Sequence, residues 1–364
     1  MTVQPEVALL YQMVRIDSPS RAEHELARFL AVQCRDLGLR AVVDEVGNLV
    51  AETGTGRGPT ILLLGHLDTI DDPIPAHLYP DRVAGRGAVD AKGPLAAMLS
   101  AAAKRLDFPG RLIVAGAVEE EVPGSRGATH LRSTLDRPDA AVIGEPSGWS
   151  TVVLGYKGIL DLRYRVRRPA THPTNPMEKA TEAAAAFWAD AVAMLGPDAS
   201  HAAFDRPAVT LGRMAGDLTE ARLDFSYRLP PGFDVEALLR QLRDRARGGD
   251  LDVLGMVPAV RTSRGDPVVR ALNTGIRRAG GTPRHKLKTA TSDMNTLAEV
   301  WDVPMATYGP GDSRLDHSAG EHILIDDYLR GIAVLGTALD ELALIVAPVS
   351  RGGAGLIPLL GGHS

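Results

Sequence analysis

The sequence predicts an α/β protein with a central sheet flanked by helices, interrupted by a small α+β domain. Three observations carry this reading. Short, largely apolar runs at residues 61–64, 111–118, 140–143 and 303–308 have the length and composition of buried strands. A helical segment at 95–106 separates the first two, and another at 267–279 precedes the last. Between residues 155 and 260 the order becomes strand, helix, strand, strand, helix, strand, as in a separate α+β unit. At 364 residues the chain is long enough for two domains.

Residues 5–13 and 22–37 are expected helices; in the second, Leu26, Phe29, Leu30 and Leu37 share a face. Ser20 with Glu23 reads as its capping box, and Gly38 as its end. Strands 40–45 and 48–52 turn at Gly47. The run 61–64 stops at Gly65 and presents His66 and Asp68, which share a strand face. Open α/β sheets bind ligands at such strand ends. The Gly-rich stretch 85–94 carries an isolated Asp90, lacks the spacing of a phosphate loop, and leads into an Ala-rich helix, 95–106. Strand 111–118 ends in Glu119-Glu120-Glu121. Three acids at the end of an apolar strand are costly unless something positive sits among them. Strand 140–143 ends in Gly144-Glu145-Pro146.

In the interrupting segment, 159–166 alternates as a half-buried strand does. Leu160, Leu162, Tyr164 and Val166 face one way. Asp161, Arg163, Arg165 and Arg167 face the other, so the arginines are expected to form a positive strip. Helices 177–195 and 235–246 and strands 208–213 and 220–229 complete this segment. From 267 the chain returns to the larger domain through helix 267–279, a helix beginning within 291–295, strand 303–308, a loop 309–316, His317 and helix 325–342. The tail is rich in Gly and Pro and is expected to be disordered.

Composition removes several function classes. A net charge of −5 gives no general case for nucleic-acid binding. One cysteine, Cys34, excludes an internal disulfide and a thiolate-rich metal site, and fits a reducing compartment. Residues 1–15 lack the basic and long apolar regions of a signal peptide, and no apolar stretch reaches membrane-spanning length. A cytoplasmic location with no membrane partner is expected.

The strand-end groups are therefore the chemical signal. One His beside a strand reads as a structural residue, but His66, Asp90, Glu121, Glu145 and His317 recur at successive strand ends. Two imidazoles and three carboxylates suit a pair of divalent ions such as zinc. One carboxylate can bridge two such ions about 3.5–4 Å apart. Asp68 is placed to orient His66 from behind, and a further carboxylate beside the ions can act as general base.

His66-Leu67-Asp68, the isolated Asp90, Glu120-Glu121, Gly144-Glu145-Pro146 and Asp316-His317 resemble the M20 metallopeptidase family in order and spacing. The resemblance implies a metal-dependent hydrolase domain (residues 1–154 and 261–343) with a mixed central sheet and helices on both faces. It also implies an inserted α+β lid and dimerisation domain (155–260), with 344–364 left as the tail. By the same resemblance His66 and Glu145 hold one ion, Glu121 and His317 the other, and Asp90 bridges, followed by a cis peptide at Asp90-Ala91. Zinc is the expected metal, with cobalt as its substitute. Glu120 takes the place of the base. The family's Asp-Glu-Glu reads Glu119-Glu120-Glu121 here, and Pro123 precedes Gly124, so Glu119 stays open as the alternative. His172 matches an oxyanion-stabilising lid His acting across a dimer, and Arg228 a lid Arg that binds a substrate carboxylate. Within the family, residues 289–295, which include Ser292 and Asn295 as expected substrate contacts, and residues 308–317 look like the hydrolases that free lysine or ornithine from an acidic amino-group carrier protein. That subgroup implies a homo-oligomer and the carrier as partner, with the arginine strip as its dock. A deacetylase or desuccinylase of small N-acyl amino acids would use the same metal site. A metal or peptide binder without turnover would have no use for Glu120.

Overall fold

The computed structural model describes residues 3–346, and among them no helix is long and apolar enough to cross a membrane. The expected tail lies outside the described residues from 347 onward; the last helix, Ile325–Ile345, runs up to that point. The chain forms two compact units. The described part of the first comprises residues 3–154, 262–286 and 301–346, and the second comprises Gly155–Arg261 and Leu287–Val300. The assignment of Leu287–Val300 to the second unit differs from the expected 155–260. Its cause is visible in Asn295, whose Nδ2 donates to the carbonyls of Lys157 and Pro258.

The first unit is built on a mixed sheet. Its strands lie in the order Arg40–Val43, Leu49–Thr53, Arg111–Ala117, Thr60–His66, Ala140–Ile143, Met305–Thr307 and Thr151–Tyr156. The four from Arg111–Ala117 to Met305–Thr307 are parallel, and their outer neighbours pair antiparallel. Parallel strands are covered on both faces, which is why Thr60–His66 is buried along its whole length and reads as a continuous apolar run. Register aligns His66 with Ala117 and Leu64 with Ile143. The three strands therefore finish together and deliver His66, Glu119-Glu120-Glu121 and Glu145 to one edge. Helix Lys92–Ala103 is buried from Lys92 to Ala102 and packs on two of these strands and on Ile325–Ile345. Its small residues let it lie between sheet and outer helix with no solvent face.

The capping expectation at Ser20 is corrected. Helix His24–Asp36 begins later, and the Ser20 hydroxyl donates to Asp68 Oδ2 at 2.7 Å instead. Glu23 is buried and accepts the N–H groups of Arg21 and Glu119. A three-stranded sheet of His77–Leu78, Arg82–Ala84 and His322–Leu324 and the helix Arg126–Thr134 gave no periodic signal in the sequence.

The second unit carries an antiparallel sheet in the order Ala208–Gly216, Glu220–Leu229, Gly158–Arg167, Asp250–Val257. Helices Ala180–Ala193 and Val235–Asp244 contribute to its core. Leu160, Leu162, Tyr164 and Val166 face that core, with Tyr164 stacked on Phe187 at 3.9 Å. The opposite face corrects the expected positive strip. Arg163 meets Asp224 at 2.7 Å, Arg165 meets Asp252 at 2.6 Å and Arg167 meets Glu220 at 3.4 Å. Each arginine thus meets an acid on a neighbouring strand, with Asp224 shared between Arg163 and Arg222, so the strip is ion-paired rather than a row of free positive charge.

Candidate metal centre

Five strand-end and loop side chains of the first unit converge. Asp90 is their centre: Oδ1 lies 3.2 Å from His66 Nε2, and Oδ2 lies 3.2 Å from His317 Nε2. Glu145 Oε1 is 3.8 Å from His66 Nε2, and Glu121 Oε1 is 2.9 Å from His317 Nε2. The result is two ligand groups, His66–Asp90–Glu145 and Asp90–Glu121–His317, that share only Asp90. Each offers two or more carboxylate oxygens and one imidazole nitrogen, a donor set that fits zinc or cobalt. The peptide Asp90-Ala91 is cis. His317 has a left-handed backbone, φ 57°, uncommon for a residue with a Cβ.

The tautomer of His66 follows from its neighbours. Nδ1 lies 2.8 Å from the carbonyl oxygen of Asp68, which can only accept, so Nδ1 carries the hydrogen and Nε2 faces Asp90. Asp68 orients His66 chiefly through this carbonyl, since its carboxylate is 3.4 Å away. That carboxylate is engaged elsewhere: Oδ1 accepts the N–H of Glu120, and Oδ2 accepts the N–H of Glu121 and the Ser20 hydroxyl. One residue thus fixes both a candidate ligand and the acidic loop. Glu23 and Ser20 brace the same loop and escaped the sequence reading. A helix-start signature masked them.

The three acids of that loop separate in the structure. Glu119, with φ 58°, turns toward Arg126 at 2.7 Å and Arg21 at 3.6 Å. Glu121 points to His317. Glu120 is half-buried and its charge acts on His66. Glu119 is thus engaged by two arginines, while the Glu120 charge acts on the His66 side of the centre.

Electrostatics match a cation site. Burial alone would lower the His66 pKa, but hydrogen bonds to Asp68 and Asp90 hold it well above the ordinary imidazole range. The hydrogen bond to Asp90 pushes His317 up to about 9 against the opposing effect of burial. Burial raises Glu121, and the nearby Asp90 charge adds to it. The carboxylates that raise both imidazoles favour their protonated forms in the metal-free chain, and an incoming ion must displace those protons. Loading is expected to release protons, and affinity should fall as pH drops. Calorimetry in buffers of different ionisation enthalpy reads the release directly; heats independent of the buffer would contradict it.

The other expected site residues lie in the second unit. His172 is exposed, and its Nδ1 is held by Thr174 at 2.8 Å. Arg228 is half-buried, and its Nη1 donates to Thr291 Oγ1 at 3.2 Å. Burial moves its pKa down. Ser292 and Asn295 are buried and taken up by the fold. Ser292 Oγ accepts the Met294 N–H at the start of helix Asp293–Ala298, and Asn295 Oδ1 accepts the Ser292 N–H. The two side chains together form the cap of that helix.

Residues 62–341 match the family described as peptidase family M20/M25/M40. The chain is 40% identical to a [LysW]-lysine hydrolase of Deinococcus radiodurans over 92% of its own length and 96% of the relative's. It is 34% identical to a putative [LysW]-lysine/[LysW]-ornithine hydrolase of Pyrococcus furiosus, covering 94% of this chain and 99% of the relative. Among solved structures, an M20 family metallo-carboxypeptidase from Sulfolobus solfataricus superposes with a TM-score of 0.78 at 20% identity. It covers 94% of this chain and all of that one, a likeness of fold.

Proposed function

The chain belongs to peptidase family M20/M25/M40, and from that premise we propose that it is a metal-dependent amidohydrolase of amino-acid biosynthesis. It frees lysine, with ornithine as a second product, from the γ-carboxyl of the terminal glutamate of an acidic amino-group carrier protein. The observation that carries the hydrolytic reading is Asp90, with one oxygen facing each of two His-carboxylate groups. Similarity along nearly the whole chain to [LysW]-lysine and [LysW]-ornithine hydrolases supports the carrier as substrate.

His66 and Glu145 would hold one ion and Glu121 and His317 the other, with Asp90 between them. Zinc is the metal this donor set favours, and cobalt its substitute. When bound, such a pair polarises a carbonyl and lowers the pKa of water toward about 7. Glu120 takes a proton from the attacking water and returns it to the departing α-amine as the C–N bond breaks. Arg228 holds the carboxylate of the amino acid. His172 stabilises the oxyanion in a neighbouring protomer. Association through the second unit has support in its edge strand Asp250–Val257, which exposes Val253, Leu254 and Met256. The single, buried Cys34 supports action in the cytoplasm.

The test compares kcat/KM for lysine-loaded carrier, acetylornithine and succinyl-diaminopimelate. Lysine-loaded carrier is expected to be preferred by at least about 10²-fold, the scale on which a built recognition site discriminates. Preference for either small substrate would replace this reading with a deacetylase or desuccinylase.

A further inference from the structure

The loop that carries Asp90 is held by a carboxylate from elsewhere in the chain. Glu321 lies four residues after His317, and its side chain is wholly buried. Its Oε1 accepts the N–H of Val89 at 2.9 Å and the N–H of Asp90 at 3.0 Å. Its Oε2 accepts from Arg86 Nη1 at 2.7 Å. Arg86 is itself fixed, donating through Nη2 to the Asp72 carboxylate at 2.8 Å and through Nε to the Asp72 carbonyl at 2.7 Å. The carbonyl of Glu321 accepts the Gly85 N–H. Both ends of the segment from Gly85 to Asp90 are therefore tied to one residue, and one tie is the backbone of Asp90 itself.

We propose that Glu321 is a positioning residue that sets the backbone of Asp90 and, through it, both ion sites at once. The physical reason is the sharing of Asp90. A residue behind an ordinary ligand tunes one ion, whereas one behind the common carboxylate tunes two. The Arg86 guanidinium, anchored on Asp72 through Nη2 and Nε, fixes the direction of the Glu321 carboxylate through its Nη1 bond, and the two N–H bonds transfer that direction to the ligand. Outer partners of this kind typically change metal affinity about 10–100-fold. The inference rests on the two-ion reading of the site.

The test uses the full chain, stripped of metal and titrated with Co2+ while its visible spectrum is followed. In Glu321→Gln an amide nitrogen replaces the oxygen facing Arg86, so that charge-assisted hydrogen bond is lost. Both equivalents are expected to bind about 10–100-fold more weakly, with an altered cobalt spectrum. Arg86→Lys, which keeps the charge but loses the planar group that spans Glu321 and Asp72, is expected to weaken both in the same direction and by less; it serves as the test if the first variant does not fold. Unchanged affinities and spectrum in the folded variant, with only a lower melting temperature, would show a merely structural clamp and overturn the proposal. So would weakening confined to one equivalent. Wild-type chain that binds fewer than two ions would instead overturn the two-ion reading.

Discussion

Glu120→Gln is expected to keep both ions and to slow turnover about 10²–10⁴-fold, the usual contribution of a general base. The amide fills the same space but cannot take a proton from water. Its backbone N–H still bonds to Asp68, as does that of Glu121, so the loop and the Glu121 ligand stay in place. Glu119, the alternative, has its carboxylate engaged by Arg126 and Arg21. Metal analysis and kcat measured on the same sample separate loss of base from loss of metal. Near-normal turnover would move the role to Glu119, and Glu119→Gln would then be the inactive variant.

Asp90→Ala is expected to have the largest effect on metal content, taking the dialysed chain from about two bound ions toward none, with activity lost alongside. Each Asp90 oxygen faces a different imidazole, so deleting the side chain removes a ligand from both groups. Glu145→Ala and Glu121→Ala each touch only one group and should each release about one ion. Elemental analysis after dialysis reads the difference. Two ions retained by Asp90→Ala would rule out its bridging place.

Much of this was legible in the sequence because the site is made at strand ends. Parallel strands announce themselves as apolar runs, and a charged residue at the point where each run stops is conspicuous. That logic singled out as candidates His66, Glu121 and Glu145, which the structure brings together around Asp90. It could not find Ser20, Glu23 or Glu321, which act through hydrogen bonds to backbone groups far away in sequence. Ser20 shows the reason: its spacing to Glu23 satisfied a local helix-start pattern, while its hydroxyl was committed to Asp68 across the fold. The arginines of Gly158–Arg167 show the same limit from the other side. Alternation placed them on one face, but only strand pairing could bring Asp224, Asp252 and Glu220 opposite them. Ser292 and Asn295 were conspicuous as a motif, and in the structure their side chains cap a helix.

The most direct test of the account is a single turnover of the metal-loaded chain on lysine-loaded carrier in water enriched in oxygen-18, read by mass spectrometry. If Glu120 is a base that activates water, the products are unlabelled lysine and a carrier whose γ-carboxylate holds one heavy oxygen, with Glu120 itself unlabelled. Label found in Glu120 would mean that its carboxylate attacked the amide directly, and a conjugate left intact would mean that the carrier is not the substrate; either result contradicts the account.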